Sequence, residues 1–136
     1  MNSIIHQEFL EHINTGQKAM KSISKDIEIA AITCIDTLKN DGKILILGNG
    51  GSAADAQHIA AELVGRYKNE RRGLAAIALT TDTSIITSIS NDYGYENVFE
   101  RQIQALANEK DVVIGISTGG TSKNVINALS LASSLG

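Results

Sequence analysis

Short, continuous apolar runs alternate with longer amphipathic segments over the second two-thirds of the chain. The runs Lys43–Leu47, Leu74–Leu79 and Val112–Ile116 are typical of strands that are buried on both faces of a parallel sheet. The segments between and after them carry apolar residues at helical spacing, and they predict helices at about residues 52–67, 83–90, 97–108 and 125–132. Strands that alternate with helices form βαβ units, so we predict an α/β fold, a three-layer α/β/α sandwich with a parallel sheet.

The first forty residues predict helices without a strand. Ile5, Phe9 and Ile13 form one apolar stripe near the N-terminus. A second stripe consists of Ile27, Ala30, Ala31, Cys34, Ile35 and Leu38. The first stripe has no obvious partner within the chain, so we expect it to pack against another subunit.

The length of the chain, 136 residues, is usual for one domain. We therefore predict a single domain over residues 1–136, made of a helical segment at 1–40 and an α/β core at 41–136. The third strand would form an unprotected sheet edge if no further strand followed it. We therefore expect the domain to be incomplete at its C-terminus.

Composition and charge argue against several classes of function. The chain is 43% hydrophobic and 20% charged, as is ordinary for a globular protein, and its net charge is −3. This acidic balance argues against a nucleic-acid partner, whereas small anions need only local donors. The N-terminus lacks a signal-peptide pattern, and no apolar run approaches the ~20 residues of a membrane span. The single cysteine, Cys34, is expected to be a buried thiol without an internal disulfide, so we predict a cytoplasmic protein with no membrane partner.

Two strand-to-helix junctions concentrate glycines and hydroxyl side chains. The first junction, Gly48–Ser52, follows the first predicted strand, and Asp55 completes a capping-box-like pattern with Ser52. The second junction, Ser117–Ser122, follows the third predicted strand and contains four hydroxyl side chains. Because open α/β sheets bind ligands at the carboxyl ends of their strands, both junctions are candidate phosphate sites. Tight turns with capped helices would give the same pattern, and this alternative stays open.

The junctions do not match the common nucleotide-binding motifs. The first junction lacks the Gly-Lys-Ser/Thr ending of the P-loop. Ala53 occupies the third glycine position of the dinucleotide fingerprint, so that match is weak. A nucleotide is therefore not the predicted ligand.

The helix after the first junction carries the reactive candidates. His58 and Glu62 are four residues apart and share one helix face, and Arg66 would extend that face. An imidazole and a carboxylate at this spacing can ligate one metal ion, or one of them can orient the other for proton transfer. A solvated charged stripe would show the same spacing. The run Lys68–Arg72 is expected to be a solvated helix end.

Five sequence motifs follow one another along the chain. They are Gly-Asn-Gly-Gly-Ser at 48–52, Ala-Asp-Ala-Gln-His at 54–58, Ala-Glu-Leu-Val-Gly-Arg at 61–66, Asn-Asp-Tyr-Gly-Tyr at 91–95 and Gly-Ile-Ser-Thr-Gly-Gly-Thr-Ser at 115–122. Together they resemble the phosphoheptose isomerase family of the sugar isomerase (SIS) domain superfamily. The resemblance implies a flavodoxin-like SIS fold and an aldose–ketose isomerase that converts sedoheptulose 7-phosphate to D-glycero-D-manno-heptose 7-phosphate through a cis-enediol. Its product would serve heptose synthesis for lipopolysaccharide or capsule.

The resemblance also implies roles for individual residues. Glu62 would be the base that moves a proton between C1 and C2, and His58 and Glu62 would be two ligands of one zinc ion per subunit. The acid partner and the remaining zinc ligands would lie beyond residue 136. The enzyme would be a homotetramer that binds a small-molecule sugar phosphate. The substrate-binding residues, with the hydroxyl side chains at the phosphate, would be Asn49, Gly50, Gly51, Ser52, Arg66, Asn91, Asp92, Ser117, Thr118, Thr121 and Ser122.

Two other functions fit parts of this pattern. A non-catalytic SIS protein that binds the replication initiator could keep the phosphate-binding junctions and lose the base, whereas His58 and Glu62 are both present here. Another phosphosugar isomerase or etherase of the superfamily would share the serine-rich junctions more than the His58–Glu62 pair. The isomerase of heptose phosphates is therefore the leading prediction.

Overall fold

The computed structural model describes residues 2–136. They divide into two compact units, the first ending at Ile35 and the second covering Asp36–Gly136. The helices are α1 (Asn2–Ser22), α2 (Ser24–Lys39), α3 (Gly51–Val64), α4 (Thr83–Tyr93), a short 3₁₀ helix (Tyr95–Asn97), α5 (Val98–Leu106) and α6 (Lys123–Leu135). The strands are β1 (Ile44–Gly48), β2 (Ala76–Ala78) and β3 (Val112–Ile116). The predicted alternation of strands and helices is confirmed, and the N-terminal segment is helical as expected.

The first unit contains α1 and most of α2. Large apolar side chains of α1 are exposed, with Ile4 at 67%, Phe9 at 65% and Met20 at 63% of their full accessibility. Cys34, predicted to be buried, is only half-buried, and the pKa of its thiol is raised by the partial loss of solvent. The apolar stripes that the sequence predicts therefore lie largely at the surface of this unit.

The second unit is built on a parallel sheet with the strand order β2-β1-β3. β1 is central and buried along its whole length, because its consecutive apolar side chains point to both faces of the sheet. Fully burying a side chain of this size contributes about 1.5–3 kcal/mol, so Leu45 and Leu47 dominate the core. The other members of the core cluster are Leu79, Val98, Phe99, Ile103, Val125 and Ala128. β3 pairs with β1 alone among the described residues, which leaves its other side as the predicted edge.

The amino ends of β1 and β3 are joined by an ion pair. Lys43 Nζ lies 2.6 Å from the carboxylate of Asp111, and the Lys43 and Asn108 backbone N–H groups each donate to the same carboxylate at 2.9 Å. Burial acts to raise the pKa of Asp111, but the hydrogen bonds from Lys43 and Asn108 outweigh it and hold the pKa below its ordinary value. This arrangement fixes the alignment of the two strands that carry the junctions at their other ends.

None of the helices in residues 2–136 combines the length and the apolar character that a membrane crossing requires.

Candidate functional site

The two junctions leave neighbouring strands at the same edge of the sheet. Gly48, the last residue of β1, pairs with Ile116, the last residue of β3. The chain then enters α3 from the first junction and α6 from the second. The parallel register therefore brings together two segments that are far apart in sequence, as ligand sites in open α/β sheets require.

The first junction turns sharply into α3. Gly50 has a φ of 56°, a left-handed conformation that side chains disfavour, and α3 begins at the next residue. Ser52 therefore lies inside the first turn and is not the cap, and no side chain caps this helix. The predicted capping-box-like start is wrong, because a glycine turn closed by backbone hydrogen bonds begins the helix instead. The Ser52 N–H donates to the Asn49 carbonyl at 3.0 Å, and its half-buried side chain is free of a capping role.

Gly48 is required by close packing between strand and helix. A Cβ atom at this position would lie 2.8 Å from the Cβ of Ser52 and 2.9 Å from the carbonyl oxygen of Ile116. Both distances are shorter than real contacts between such atoms. The missing side chain lets the start of α3 lie directly against the end of β3.

The second junction is a hydroxyl-lined turn. The Oγ atoms of Ser117 and Ser122 lie 3.3 Å apart, and the Gly120 N–H donates to the Ser117 hydroxyl at 3.2 Å. Thr118 and Thr121 are exposed on the same turn. Neutral hydroxyls in this arrangement can donate hydrogen bonds to phosphate oxygens, and they stand at the N-terminus of α6, where the helix dipole favours negative charge.

A pair of amide side chains connects the two junctions. Asn49 Nδ2 donates to Asn124 Oδ1 at 2.9 Å, and Asn124 Nδ2 donates back to Asn49 Oδ1 at 2.8 Å. The Tyr95 hydroxyl also donates to Asn49 Oδ1, at 3.0 Å. The sequence analysis missed Asn124 and Tyr95. An asparagine such as Asn124, in the first turn of a helix, is common there and does not by itself indicate a functional site. Their contacts depend on strand order, which the sequence pattern does not specify.

His58 and Glu62 lie on one face of α3 as predicted. His58 Nε2 is 3.8 Å from Glu62 Oε1, with side-chain exposures of 76% and 39%. Both side chains are therefore open to a ligand, and Glu62 is the more enclosed of the two. Among the described residues no group of three or more His, Cys, Asp and Glu side chains is arranged to hold a metal ion.

Arg66 does not extend this helix face, because α3 ends at Val64 rather than near Tyr67. Gly65 ends the helix, with its N–H donating to the Ala61 carbonyl at 2.8 Å. Arg66 lies outside the helix, and its Nε is 3.4 Å from the Glu70 carboxylate. The predicted helical continuation past Gly65 is wrong, and the low helix propensity of glycine explains why the helix stops there.

Arg71 closes the C-terminus of α3. Its guanidinium donates to the carbonyl oxygens of Glu62 at 2.7 Å and of Leu63 at 2.8 Å, and also to those of Gly65 and Arg72. The last carbonyls of a helix lack partners within the helix, so a cation placed there satisfies them and complements the helix dipole. The prediction that Lys68–Arg72 is a solvated helix end is thus wrong. The segment is a loop, and its Arg71 caps the turn of α3 that carries Glu62.

Asn91 and Asp92 belong to the last turn of α4, which extends past the helix predicted at about residues 83–90. Asn91 Nδ2 donates to Asp92 Oδ1 at 2.8 Å, and both side chains are exposed. The helix predicted at about residues 83–90 is therefore longer than expected, and Gly94, with a φ of 88°, ends it. Both polar side chains therefore lie exposed at the end of this helix.

A family pattern and several relatives match this chain. The SIS domain pattern covers residues 8–136. The phosphoheptose isomerase of Aliarcobacter butzleri is 60% identical over the whole chain, which spans 72% of that protein, and the one from Helicobacter pylori strain P12 is 56% identical over 100% of the chain and 71% of the relative. The structure of phosphoheptose isomerase from Neisseria gonorrhoeae superposes on this chain with a TM-score of 0.91 at 48% identity. The superposition covers 98% of this chain and 70% of the Neisseria chain.

These matches agree with the parallel sheet and with the glycine and hydroxyl junctions described above, and they confirm the predicted SIS fold. The chain therefore belongs to the phosphoheptose isomerase family of SIS-domain proteins, and it is an isomerase.

Proposed function

We propose that this isomerase converts sedoheptulose 7-phosphate to D-glycero-D-manno-heptose 7-phosphate. The observation that carries the proposal is the position of the His58–Glu62 pair on α3, the helix that starts at the first junction. One helix thus offers an anion site at its N-terminus and a carboxylate further along it. The names of the relatives support a phosphorylated heptose as the substrate.

The phosphate would bind between the two junctions. Hydroxyl donors come from both segments, and the helix N-termini add a favourable field without net positive charge. Such a site needs no cationic side chain, so it is compatible with a chain whose net charge is −3. The residues proposed for the phosphate are Ser52, Ser117, Thr118, Thr121 and Ser122, together with Gly50 and Gly51 in the first junction.

Glu62 would act as the base. Removal of a proton from C1 of the ketose, with addition of a proton to O2, gives a cis-enediol. Return of a proton to C2, with loss of the proton from O1, then gives the aldose. Ser52 and Glu62 are ten positions apart, a rise of about 15 Å along the helix. The Glu62 side chain leans towards the N-terminus of the helix, so an extended seven-carbon phosphate has less than that distance to span.

Polar side chains around this axis would bind the sugar hydroxyls. We assign this role to Asn49, Arg66, Asn91 and Asp92. Asn49 Oδ1 already accepts two hydrogen bonds, so Asn49 would contribute only its remaining Nδ2–H. Asp92 and Arg66 are exposed and can reorient towards a ligand.

A zinc ion would be held by His58 and Glu62. The donor set fits, because an exposed imidazole and a carboxylate at a separation of 3.8 Å are ligand types that zinc accepts, and neither is committed to another partner in its described surroundings. Bound zinc would polarise a carbonyl or hydroxyl oxygen of the sugar. We expect one ion per subunit, with the remaining ligands outside these 136 residues.

The assembly and cellular role are proposed on separate grounds. The exposed apolar side chains of α1, such as Ile4 and Phe9, would be covered by other copies of the chain in a homotetramer. Sedimentation of the protein would show a single species of four subunits if this is right, and a monomer or any other assembly would contradict it. We further propose that the enzyme works in the cytoplasm, in heptose synthesis for lipopolysaccharide or capsule.

The test is turnover of sedoheptulose 7-phosphate by the full-length protein, with aldose formation followed directly. The Glu62→Gln variant should lose about 10²–10⁴-fold in kcat, since that is the usual contribution of a positioned base. Glu109→Gln, an exposed carboxylate at the opposite edge of the sheet, is the control and should retain wild-type kcat. An inactive wild type would exclude this reaction, and undiminished turnover by Glu62→Gln would exclude Glu62 as the base.

A further inference from the structure

The amide pair between Asn49 and Asn124 joins the first junction to the first turn of α6, the helix that follows the second junction. Asn49 is the residue after β1, and Asn124 lies in the first turn of α6, 75 positions later in the sequence. Two hydrogen bonds of 2.9 and 2.8 Å join the amides in a reciprocal pair. The pair therefore sets the distance between the turn that leads into α3 and the first turn of α6.

The oxygen atoms of both amides have no capacity left for a ligand. Asn49 Oδ1 accepts from Asn124 and from the Tyr95 hydroxyl, while Asn124 Oδ1 accepts from Asn49 and from the Val125 N–H at 3.0 Å. A carbonyl oxygen has two lone pairs, and all four are used here. Asn124 is only 3% exposed, so its contacts are within the protein rather than with solvent or a substrate.

Tyr95 brings a third element into the link. It begins the 3₁₀ helix after α4, and its hydroxyl reaches Asn49 at 3.0 Å although the ring is half exposed. A small cavity of about 60 Å³ lies next to this contact. Its lining includes Asn49 and Tyr95 as well as Gly50 and Thr80. A space of that size next to the first junction leaves room for the junction to shift when the hydrogen bonds are lost.

We propose that Asn124 and Tyr95 are positioning residues for phosphate binding, which hold Asn49 and thus the first junction at a fixed separation from the second. The inference deepens the proposed function and rests on its phosphate site. A phosphate that is bound by donors from two segments gains affinity when those donors are already in place, because no binding free energy is then needed to order them. Neither residue touches the substrate; each acts through Asn49.

The test compares Asn124→Ala and Tyr95→Phe in the full-length protein. Asn124→Ala should raise the KM for sedoheptulose 7-phosphate by about five- to tenfold, the equivalent of roughly one lost hydrogen bond, with kcat within threefold of wild type. The dissociation constant for inorganic phosphate, measured by titration calorimetry, should rise by the same factor. Tyr95→Phe removes a single half-exposed hydroxyl and should raise both constants about two- to threefold.

Gln102→Ala is the matched control. Gln102 is also a buried amide, 5% exposed, and its Nε2 donates to the Leu79 and Val98 carbonyls at 3.0 Å, in the core away from the link. Its loss should lower the thermal midpoint and leave the KM and the phosphate affinity unchanged. If Asn124→Ala behaves in the same way, Asn124 has only a structural role and the proposal is overturned.

The remaining outcomes separate this inference from the proposed function. If the wild type binds inorganic phosphate but does not convert the heptose phosphate, the proposed reaction is wrong. Weaker phosphate binding by the two variants would still support their positioning role in that case. A wild type that binds no phosphate overturns the positioning role itself. If Asn124→Ala does not fold, Tyr95→Phe decides: unchanged phosphate affinity and KM in that variant overturn the proposal.

Discussion

The two ends of the same strand pair, β1 and β3, are built on opposite electrostatic principles. At the amino edge, the Asp111 carboxylate is 1% exposed and accepts hydrogen bonds from Lys43 and Asn108, so its charge is fully compensated within the protein. At the carboxyl edge, neutral side chains join the strands, and hydroxyl groups stay available around them. The first arrangement is closed to ligands and the second is open to them.

The difference shows how one sheet separates stability from binding. A compensated ion pair stabilises the alignment of the strands, and its carboxylate, at 1% exposure, is out of reach of a solute. A binding edge must instead leave donors free, so its geometry has to be fixed by groups such as the Asn49–Asn124 pair that do not bind the ligand. Substitutions at the two edges should therefore affect different measurements.

The largest expected effect is at the carboxyl edge. Replacing Ser117 and Ser122 together by alanine removes two hydroxyl donors from the second junction. Each hydrogen bond to a charged group contributes about 1.5–3 kcal/mol, so kcat/KM for sedoheptulose 7-phosphate should fall by about 100-fold or more. Steady-state kinetics measure this loss, and thermal unfolding should show little change. Ser134→Ala, at the far end of α6, is the control. If the double variant has the same kcat/KM as this control, the second junction does not bind the substrate.

The next effect is at the amino edge. Asp111→Asn removes the charge that pairs with Lys43 and should lower the free energy of unfolding by about 2 kcal/mol, because Lys43 loses a charge-assisted hydrogen bond. The kcat/KM value should stay within about twofold of wild type. Chemical denaturation measures the free energy of unfolding, and steady-state kinetics on the same sample measure kcat/KM. A fall in activity as large as the fall in stability would contradict the separation of the two edges.

The stabilisation by Asp111 should also depend on pH. Its pKa is lower in the folded protein than in the unfolded chain, so the carboxylate stabilises the fold above the unfolded value of about 3.9. That contribution is lost as the pH falls through the lower, folded value. The difference in unfolding free energy between wild type and Asp111→Asn should therefore be constant from about pH 6 to 8 and should narrow below about pH 4. Denaturant titrations across this range measure it, and a difference that widens towards low pH would reverse the assigned sign.

The smallest of these effects concerns the end of α3. Arg71→Ala leaves the carbonyls of Glu62 and Leu63 without their capping donor and should lower the free energy of unfolding by about 1 kcal/mol. The turn that bears Glu62 should loosen, with a modest fall in kcat. The neighbouring Arg72→Ala, whose side chain is exposed, is the control for removing a positive charge. If the two variants have the same free energy of unfolding, the hydrogen bonds from Arg71 to the end of α3 do not stabilise the fold.

The order of elements could be predicted from the sequence because each depends on local chemistry. The consecutive apolar residues of β1 can be satisfied only by burial on both faces, which predicts a central parallel strand. The glycines and hydroxyls after β1 and β3 likewise predicted anion-binding junctions at one edge of the sheet. The helix spacing of His58 and Glu62 follows from 3.6 residues per turn and needs no tertiary information.

Helix ends were predicted less well, because they depend on competition between local propensity and long-range contacts. The apolar pattern of α3 continues past Val64, but Gly65 ends the helix and Arg71 returns from the following loop to satisfy its carbonyls. The helix predicted at about residues 83–90 continues to Tyr93 and ends at Gly94. In both cases a glycine decided the boundary.

The sequence by itself determined the α/β class, the two junctions and the placement of His58 and Glu62 on one helix, since these follow from periodicity and local steric limits. Only the tertiary structure decided that β1 pairs with β3, and hence that Asn49 meets Asn124 and Lys43 meets Asp111. Those contacts join residues 75 and 68 positions apart, and hydrogen bonds over such separations form only once strand order and register are set.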